Sequence, residues 1–280
     1  MRVDLHCHST HSDGSLPAAE VAAKAGAAGV ELFALTDHDT LAGYAATREA
    51  LPGVAVLRAV ELSCKVEGRT IHLLMYGVED GPGLAALEQR LAVVQGDRQA
   101  RLRAIVDRLA RLGICLDADA ILRDTAGRTP GRPDVARALV VAGAVRSMRE
   151  AFDRYLHDNG PADVAFERVT LSEGLALGLA AGARMSLAHP HTLRSPALVG
   201  EVVRRHQGEG LTGIEAYYGR YPHAEREVWL RLAQAHGLVV TGGSDFHGDA
   251  MPEVTRPGIE LPEPHAARLR EWLGVPRAAA

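Results

Sequence analysis

The chain has 280 residues, of which 47% are hydrophobic and 24% charged, and its net charge is −4. These proportions are close to globular averages and exclude a mainly disordered chain, while the net charge argues against a surface that generally coats nucleic acid. No apolar run reaches the roughly 18 residues of a membrane span, and no signal-peptide pattern is present, so we expect a cytoplasmic protein. Three widely spaced cysteines, Cys7, Cys64 and Cys115, are typical of reduced thiols.

The first 83 residues alternate between predicted strands and helices. Short apolar runs predict strands, and helix-forming segments that end at glycine or proline lie between them. The predicted strands are Arg2–Leu5, Val30–Leu35, Val54–Val60 and Thr70–Gly77, and the predicted helices are Pro17–Gly29 and Ala42–Ala50. The third strand runs on through Glu61, and a turn at Glu67-Gly68 leads into the fourth. This alternation is typical of an α/β fold.

A helical segment interrupts the alternation at residues 84–162. Apolar residues recur at three- and four-residue steps from Leu84 to Leu112, which predicts a long amphipathic helix. Shorter helices are predicted at about 117–124, 133–143 and 147–157. Residues 84–157 carry 13 arginines, no lysine and 9 acidic residues, a net charge of +4 against −8 for the remainder. Because arginine clusters suit phosphate groups, this segment is either a phosphate-binding region or a set of solvated helix faces.

The α/β alternation resumes after residue 162. Thr170 and Glu173 have capping-box spacing and predict a helix that leads into the strand Arg184–Ala188. Two more strands are predicted at Gly213–Tyr217 and Leu238–Thr241, with the helix Ala224–His236 between them. The sequence therefore predicts two domains: an α/β domain of seven strands formed by residues 1–83 and 163–280, and a helical insert or lid domain at residues 84–162.

Side chains that can bind metals follow the predicted strands. His6 and His8 alternate along the first strand and project to the same side, and Asp13 lies in a Ser/Asp/Gly turn just beyond them. Similar donors occur at the later strands: His38, Glu61, His72, His189, Glu215, Asp245 and His247. Because the carboxyl ends of the strands of a (β/α) barrel form one face, we expect these residues to converge there.

The composition of this set indicates its chemistry. Histidine, aspartate and glutamate without cysteine favour Zn²⁺, Mn²⁺ or Fe²⁺ over a thiolate site. The donors exceed the needs of one ion, so two to three divalent metal ions are predicted. Clustered divalent ions lower the pKa of water and neutralise the oxygens of a phosphoryl group under attack. The pattern thus favours phosphoester hydrolysis.

The same residues resemble the polymerase and histidinol phosphatase (PHP) family. The shared motifs are D-L-H-C-H-S-x-x-S-D-G, L-T-D-H-D, the strands with Glu61 and His72, A-H-P, and G-G-S-D-F-H-G. The resemblance implies an α/β fold, a distorted seven-stranded (β/α) barrel with up to three metals. The ligand groups that it implies are His6, His8, Glu61 and Asp245 for one ion, Glu61, His72 and His189 for a second, and Asp13, His38 and His247 for a third.

The helical insert and its Thr129–Pro133 segment resemble one branch of this family. Its members are nucleoside 3′,5′-bisphosphate phosphatases, also described as 5′-to-3′ oligoribonucleases. Arg132 matches a phosphate-binding arginine of that branch; its alternative role is a surface residue at a helix start. The implied catalytic residues are Asp245, His247 and Arg132.

The sequence departs from the pattern of this branch at two places. Both places concern further residues that are expected to contact the substrate. The loop after Tyr217-Tyr218 is longer than the usual Y-Y-x-x-H, which leaves His223 open as a phosphate-binding residue. After the A-H-P motif, the chain has His191-Thr192 where a Gly-Arg pair can occur. His191 or Arg194 is therefore the expected replacement for that contact.

The resemblance implies a metal-dependent phosphoesterase that removes the 3′-phosphate from nucleotides such as pAp, with short RNA as a second candidate substrate. One alternative is a phosphatase or phosphodiesterase for another small phosphoester, such as a cyclic phosphate or histidinol phosphate. Another is a non-catalytic metal-binding scaffold module. No membrane association and no obligate protein partner are expected.

Overall fold

The computed structural model describes residues 1–165 and 169–276. The strands are β1 (Arg2–Asp4), β2 (Leu32–Leu35), β3 (Ala55–Val66), β4 (Arg69–Tyr76), β5 (Val169–Thr170), β6 (Arg184–Leu187), β7 (Leu211–Tyr218), β8 (Val239–Gly243) and β9 (Ile259–Glu260). The α-helices are α1 (Ala18–Ala27), α2 (Tyr44–Ala50), α3 (Pro82–Arg111), α4 (Ala118–Asp124), α5 (Arg132–Val141), α6 (Met148–Ala151), α7 (Leu171–Ala180), α8 (Pro196–His206), α9 (His223–His236) and α10 (Glu263–Leu273). None of these helices is long and apolar enough to cross a membrane.

Seven of the described strands form a barrel in the order β8-β7-β6-β4-β3-β2-β1. The segments that follow β1 and β8 join the two ends of this order. The Leu5 N–H donates to the Gly242 carbonyl at 3.2 Å, and the His8 N–H donates to the Phe246 carbonyl at 2.9 Å. The short strands β5 and β9 add to β3 and β1. The predicted seven-stranded (β/α) barrel is therefore confirmed.

The barrel is distorted because β4 runs antiparallel to both of its neighbours, β3 and β6. Glu67 and Gly68 join β3 to β4, and both have a positive φ, as the two-residue turns of β-hairpins require. The expectation that Glu61 and His72 follow the ends of their strands is wrong. Glu61 lies within β3, and His72 is the fourth residue of β4 and pairs with Ser63. The reversed direction of β4 brings His72 to the face where the parallel strands end.

The apolar side chains of the strands form the interior of the barrel domain. All four residues of β2 are buried, as expected for a parallel strand that is covered on both sides. The helix α1 packs its Val21, Ala22 and Ala25 side chains into the same cluster as Phe33. The helices α8 and α10, and the short strands β5 and β9, have no counterpart among the predicted elements.

The chain divides into two compact units, Met1–Gln89 with Arg168–Ala280, and Arg90–Glu167. The helix α3 begins in the first unit and continues into the second. The second unit has its own apolar cluster, to which α3 contributes Leu102, Ile105 and Leu109, and α5 contributes Leu139. The four helices α3 to α6 correspond in position to the four predicted helices of the insert, and a π-helical turn extends α6.

A glycine is necessary at position 243, because β8 lies directly against His6 there. A Cβ atom at Gly243 would overlap the Cβ and backbone nitrogen of His6. We expect Gly243→Ala to destabilise the protein by about 1–3 kcal/mol, as overpacked cores do. At about 2–4 °C per kcal/mol, thermal unfolding should show a Tm several degrees lower.

Gly96→Ala is a suitable control for this change. Gly96 lies inside α3, and a Cβ there would meet no atom within 4 Å. Because alanine is the better helix former, this variant should be neutral or more stable by up to about 1 kcal/mol. Equal Tm values for Gly243→Ala and the unchanged protein would contradict the packing argument.

Candidate metal centre

The nine predicted metal ligands lie together at one end of the barrel. His6 and His8 follow β1, Asp13 lies in the next turn, and His38 follows β2. Glu61 lies within β3, and His72 lies near the start of β4. The remaining three follow β6 and β8: His189, Asp245 and His247. Six elements of the barrel thus contribute to one cluster of nitrogen and oxygen donors.

A first group of donors surrounds one position. Glu61 Oε2 lies 3.3 Å from His6 Nε2 and 3.1 Å from His8 Nε2. Asp245 Oδ1 lies 3.4 Å and 3.3 Å from the same two nitrogens. Ligand atoms about 2.0–2.2 Å from a tetrahedral ion stand roughly 3.3–3.6 Å apart. The spacing of these four atoms therefore suits a metal ion of zinc-like size.

A second group uses the other oxygen of Glu61. Glu61 Oε1 lies 2.8 Å from His72 Nδ1 and 3.0 Å from His189 Nε2. The two imidazole nitrogens are 3.3 Å apart. Glu61 consequently lies between two sets of donors and presents one carboxylate oxygen to each, which is the arrangement of a ligand that bridges two ions.

Asp13 lies at the centre of a third group. Its Oδ1 atom is 3.3 Å from His247 Nε2, and its Oδ2 atom is 3.7 Å from His38 Nε2. The groups overlap, because His8 also lies within reach of Asp13 and His38, and His38 within reach of Glu61. The structure therefore brings the donors together, and the division of ligands among individual ions stays a prediction.

Several of these donor atoms are buried without a hydrogen bond among the described residues: His6 Nε2, His8 Nε2, Asp13 Oδ1 and Glu61 Oε2. A buried polar atom that lacks a partner costs about 1–3 kcal/mol. Native structures rarely contain several such atoms that face one another unless a ligand satisfies them. A divalent cation satisfies nitrogen lone pairs and carboxylate oxygens at once, so the donor set fits metal ions.

Hydrogen bonds from the surrounding protein orient the imidazoles for this role. His6 Nδ1 lies 2.9 Å from Glu215 Oε1, and His247 Nδ1 lies 2.8 Å from the Asp245 carbonyl. Both partners are acceptors, so each Nδ1 carries the proton and each Nε2 presents a lone pair to the cluster. Glu215 also accepts the His189 N–H at 2.7 Å. Glu215, a candidate donor by sequence, thus supports two ligands.

Buried carboxylates that the sequence did not single out hold the loops of the site. Asp37 accepts hydrogen bonds from the hydroxyls of Ser9 and Ser12, both at 2.6 Å. Asp4 accepts the Ser244 hydroxyl at 2.6 Å, which ties β1 to the segment after β8. The signal for these roles is their position within the D-L-H and T-D-H motifs, next to the ligands themselves.

The charges of the cluster shift the pKa values of its members. Burial alone would raise the pKa of Glu61, but the imidazoles that surround this carboxylate, among them that of His6, hold it well below its usual range. Burial lowers the pKa of His38 to about 3, which leaves that imidazole neutral at pH 7. Burial also disfavours a charged His8, yet the nearby carboxylates of Asp245 and Glu61 raise its pKa to about 10. A metal ion held by His8 would displace this proton.

The predicted substrate contacts lie in different places. His191 borders the cluster, with its ring centre 6.0 Å from that of His189 and its Nδ1 2.9 Å from the Tyr221 hydroxyl. Burial lowers the pKa of His191 to about 4, so this imidazole is neutral at pH 7. Arg194 is exposed after a short 3-10 helix. The side chain of His223, at the start of α9, is 82% exposed.

Neither Arg194 nor His223 makes a described contact with a predicted ligand. Arg132 belongs to the second unit, where its Nη1 donates to the Leu156 carbonyl at 2.9 Å and to Asp158 at 2.7 Å. The sequence also missed Arg220, which lies beside Asp245 and is described below.

Known proteins with similar sequences are phosphoesterases. Residues 4–113 match the PHP domain model. A 3′,5′-nucleoside bisphosphate phosphatase of Chromobacterium violaceum is 33% identical over 250 residues, 88% of this chain and 87% of that protein. A phosphoribosyl 1,2-cyclic phosphate 1,2-diphosphodiesterase of Eggerthella lenta is 34% identical over 252 residues, 88% and 94% of the two chains. A 5′-3′ exoribonuclease of Haemophilus influenzae is 33% identical over 253 residues, 88% and 90% of the two chains.

Solved structures agree with this similarity. An amidohydrolase from C. violaceum, with bound sulfate and no metal, has a TM-score of 0.82 and 31% identity, and the match covers 95% of this chain and 96% of that one. A proposed metal-dependent phosphoesterase from Bifidobacterium adolescentis has a TM-score of 0.79 and 28% identity, with 89% and 88% covered. These matches and the complete donor cluster argue against a non-catalytic scaffold, and the chain belongs to the PHP family of metal-dependent phosphoesterases.

Proposed function

We propose that the protein removes the 3′-phosphate from nucleoside 3′,5′-bisphosphates such as pAp, with short oligoribonucleotides as further substrates. The observation that carries the proposal is the position of Glu61 between two groups of donors, which suits a multi-metal phosphoesterase. The substrate class is supported by the similarity to the C. violaceum phosphatase, at 33% identity. The H. influenzae relative supports the second substrate.

The residues that would hold the metals are His6, His8, Asp13, His38, Glu61, His72, His189, Asp245 and His247. When bound, Mn²⁺, Zn²⁺ or Fe²⁺ ions supply Lewis-acid activation of water and stabilise charge on the phosphoryl oxygens. The chain itself contributes fixed imidazole tautomers, a carboxylate with one oxygen for each donor group, and a largely buried site that limits access of bulk water. His191 adds a neutral imidazole beside the cluster, where we propose that it contacts the substrate.

We expect two to three divalent metals per chain after loading with Mn²⁺. A single ion would leave several of the buried carboxylates and nitrogens unsatisfied, which is costly in the interior of a protein. Elemental analysis of the loaded and desalted protein measures the content directly. Less than one equivalent per chain would contradict the proposed centre.

A panel of phosphoesters tests the substrate class. We expect the Mn²⁺-loaded enzyme to release phosphate from pAp with a higher kcat/KM than from histidinol phosphate. A cyclic phosphate is the second candidate, because the E. lenta diphosphodiesterase is 34% identical to this chain. Higher kcat/KM for a ribose 1,2-cyclic phosphate than for pAp would replace the proposal with that activity.

A further inference from the structure

We propose that Arg220 and Tyr218 form a clamp that positions Asp245 as a metal ligand with one oxygen only. The inference rests on the proposed function in one respect, namely that Asp245 binds a metal ion. Tyr218 ends β7, and Arg220 lies in the loop that follows. Arg220 and Tyr218 are called the clamp below.

The two oxygens of Asp245 face different partners. Asp245 Oδ1 faces the Nε2 atoms of His6 and His8, at 3.4 Å and 3.3 Å. Asp245 Oδ2 instead accepts a hydrogen bond from the Tyr218 hydroxyl at 2.7 Å. Because Oδ2 is occupied by the tyrosine, Oδ1 is the oxygen that remains for a metal ion.

The direction of the hydrogen bonds is set by the chemistry of arginine. A guanidinium group has donors and no acceptor, so the Tyr218 oxygen must accept from Arg220. Arg220 Nε donates to this oxygen at 2.8 Å, and Nη2 donates to it as well. The single proton of the phenol is therefore directed to Asp245, and the charge of Arg220 strengthens the bond.

Other contacts fix the arginine in this position. The guanidinium carbon lies 5.1 Å from the centre of the Tyr218 ring, and Nη2 lies 3.5 Å from Asp245 Oδ2. Gly219 permits the turn between them, since a Cβ there would come within 2.9 Å of the Ser244 backbone. Arg220 lies in the loop that is longer than a Y-Y-x-x-H pattern.

The backbone of Asp245 indicates why such support is required. Asp245 has a φ of 55°, a left-handed conformation that residues with a Cβ disfavour. Its side chain is almost fully buried, so a second oxygen without a partner would be left unsatisfied. The clamp supplies that partner and prevents the carboxylate from turning both oxygens to one ion.

The neighbouring residue on β7 offers a matched control. The ring of Tyr217 lies under Arg226 of α9, at 4.6 Å, and beside His265 of α10. Tyr217 thus packs against the outer helices, whereas Tyr218 faces the cluster, although both carry an arginine over the ring. Tyr217→Phe removes an equivalent hydroxyl without touching Asp245.

The experiment is a competition titration of Mn²⁺ against a chelating dye, without substrate, on Tyr218→Phe, Arg220→Gln and Tyr217→Phe. Loss of a group that orients a ligand lowers metal affinity by about 10- to 100-fold, and we expect this for Tyr218→Phe. Arg220→Gln should lower the affinity in the same direction, and Tyr217→Phe should leave it unchanged. At saturating Mn²⁺, both clamp variants should have a lower kcat, and their KM for pAp should stay nearly constant.

Unchanged Mn²⁺ affinity in Tyr218→Phe and Arg220→Gln would overturn the clamp. A higher KM in Arg220→Gln, with kcat and metal affinity unchanged, would also overturn it and make Arg220 a substrate contact. If Tyr218→Phe fails to fold, Arg220→Gln decides, because that side chain is 34% exposed. An unchanged protein that binds no Mn²⁺ would instead reject the metal centre itself.

Discussion

Glu61→Gln is expected to lower kcat/KM by roughly 100- to 5,000-fold and to reduce the metal content. The carboxylate is fully buried, and its two oxygens face two separate groups of imidazoles. Removing one member of a buried charged pair costs about 3–5 kcal/mol, since the other charges are left uncompensated. If the same free energy is lost from the stabilisation of the transition state, kcat/KM falls by the stated range. Steady-state kinetics and elemental analysis of the Mn²⁺-loaded variant measure both effects.

Glu67→Gln is the matched control, because it makes the same change six residues later, in the turn between β3 and β4. Glu67 is 45% exposed and pairs with Arg205 at the surface. An exposed pair contributes about 0–1 kcal/mol, so activity and metal content should stay close to those of the unchanged protein. If Glu61→Gln keeps more than a tenth of the activity, a bridging role for Glu61 is wrong.

Arg132→Ala is expected to raise KM for pAp, because we propose that this guanidinium binds the phosphate that is not cleaved. The loss of a charge-assisted hydrogen bond amounts to about 1.5–3 kcal/mol, a factor of roughly 10 to 150 in KM. A substrate with only one phosphate should react nearly as before. Initial rates on pAp and on a simple phosphate monoester give the comparison.

Arg103→Ala separates this effect from a general loss of arginine in the helical unit. Arg103 lies on α3, is half exposed, and pairs with Asp119 at 2.9 Å, much as Arg132 pairs with Asp158. The control should leave KM for both substrates unchanged. Equal proportional losses of Arg132→Ala on pAp and on the monoester would show that Arg132 is a surface residue at the start of α5.

The strands and the donor cluster could be predicted because their signals are local. The alternation of His6 and His8 after a short apolar run places two imidazoles on one side of the chain, whatever the rest of the fold does. The same reasoning at the ends of the later strands brings the remaining donors to a common face of a barrel. The structure places all of these donors in one cluster.

The direction of β4 was not predicted, because the strand was identified from its apolar residues and its pairing with β3 and β6 was not considered. The informative feature was the two-residue turn at Glu67-Gly68, which favours a hairpin over a crossover. The helix α8 was missed although Ser195 and Pro196 form a helix start, with the Ser195 hydroxyl accepting the Leu198 N–H. The contact between Arg220 and Asp245 depends on the path of a loop, which composition does not specify.

The products formed from pAp by the Mn²⁺-loaded protein test the central claim most directly. The account predicts one inorganic phosphate and one 5′-AMP per pAp consumed, with both products lost when the metal is removed by a chelator and regained when Mn²⁺ is returned. Formation of 3′-AMP instead would show that the opposite ester is cleaved. Hydrolysis that continues after complete metal removal would contradict the metal centre on which the account depends.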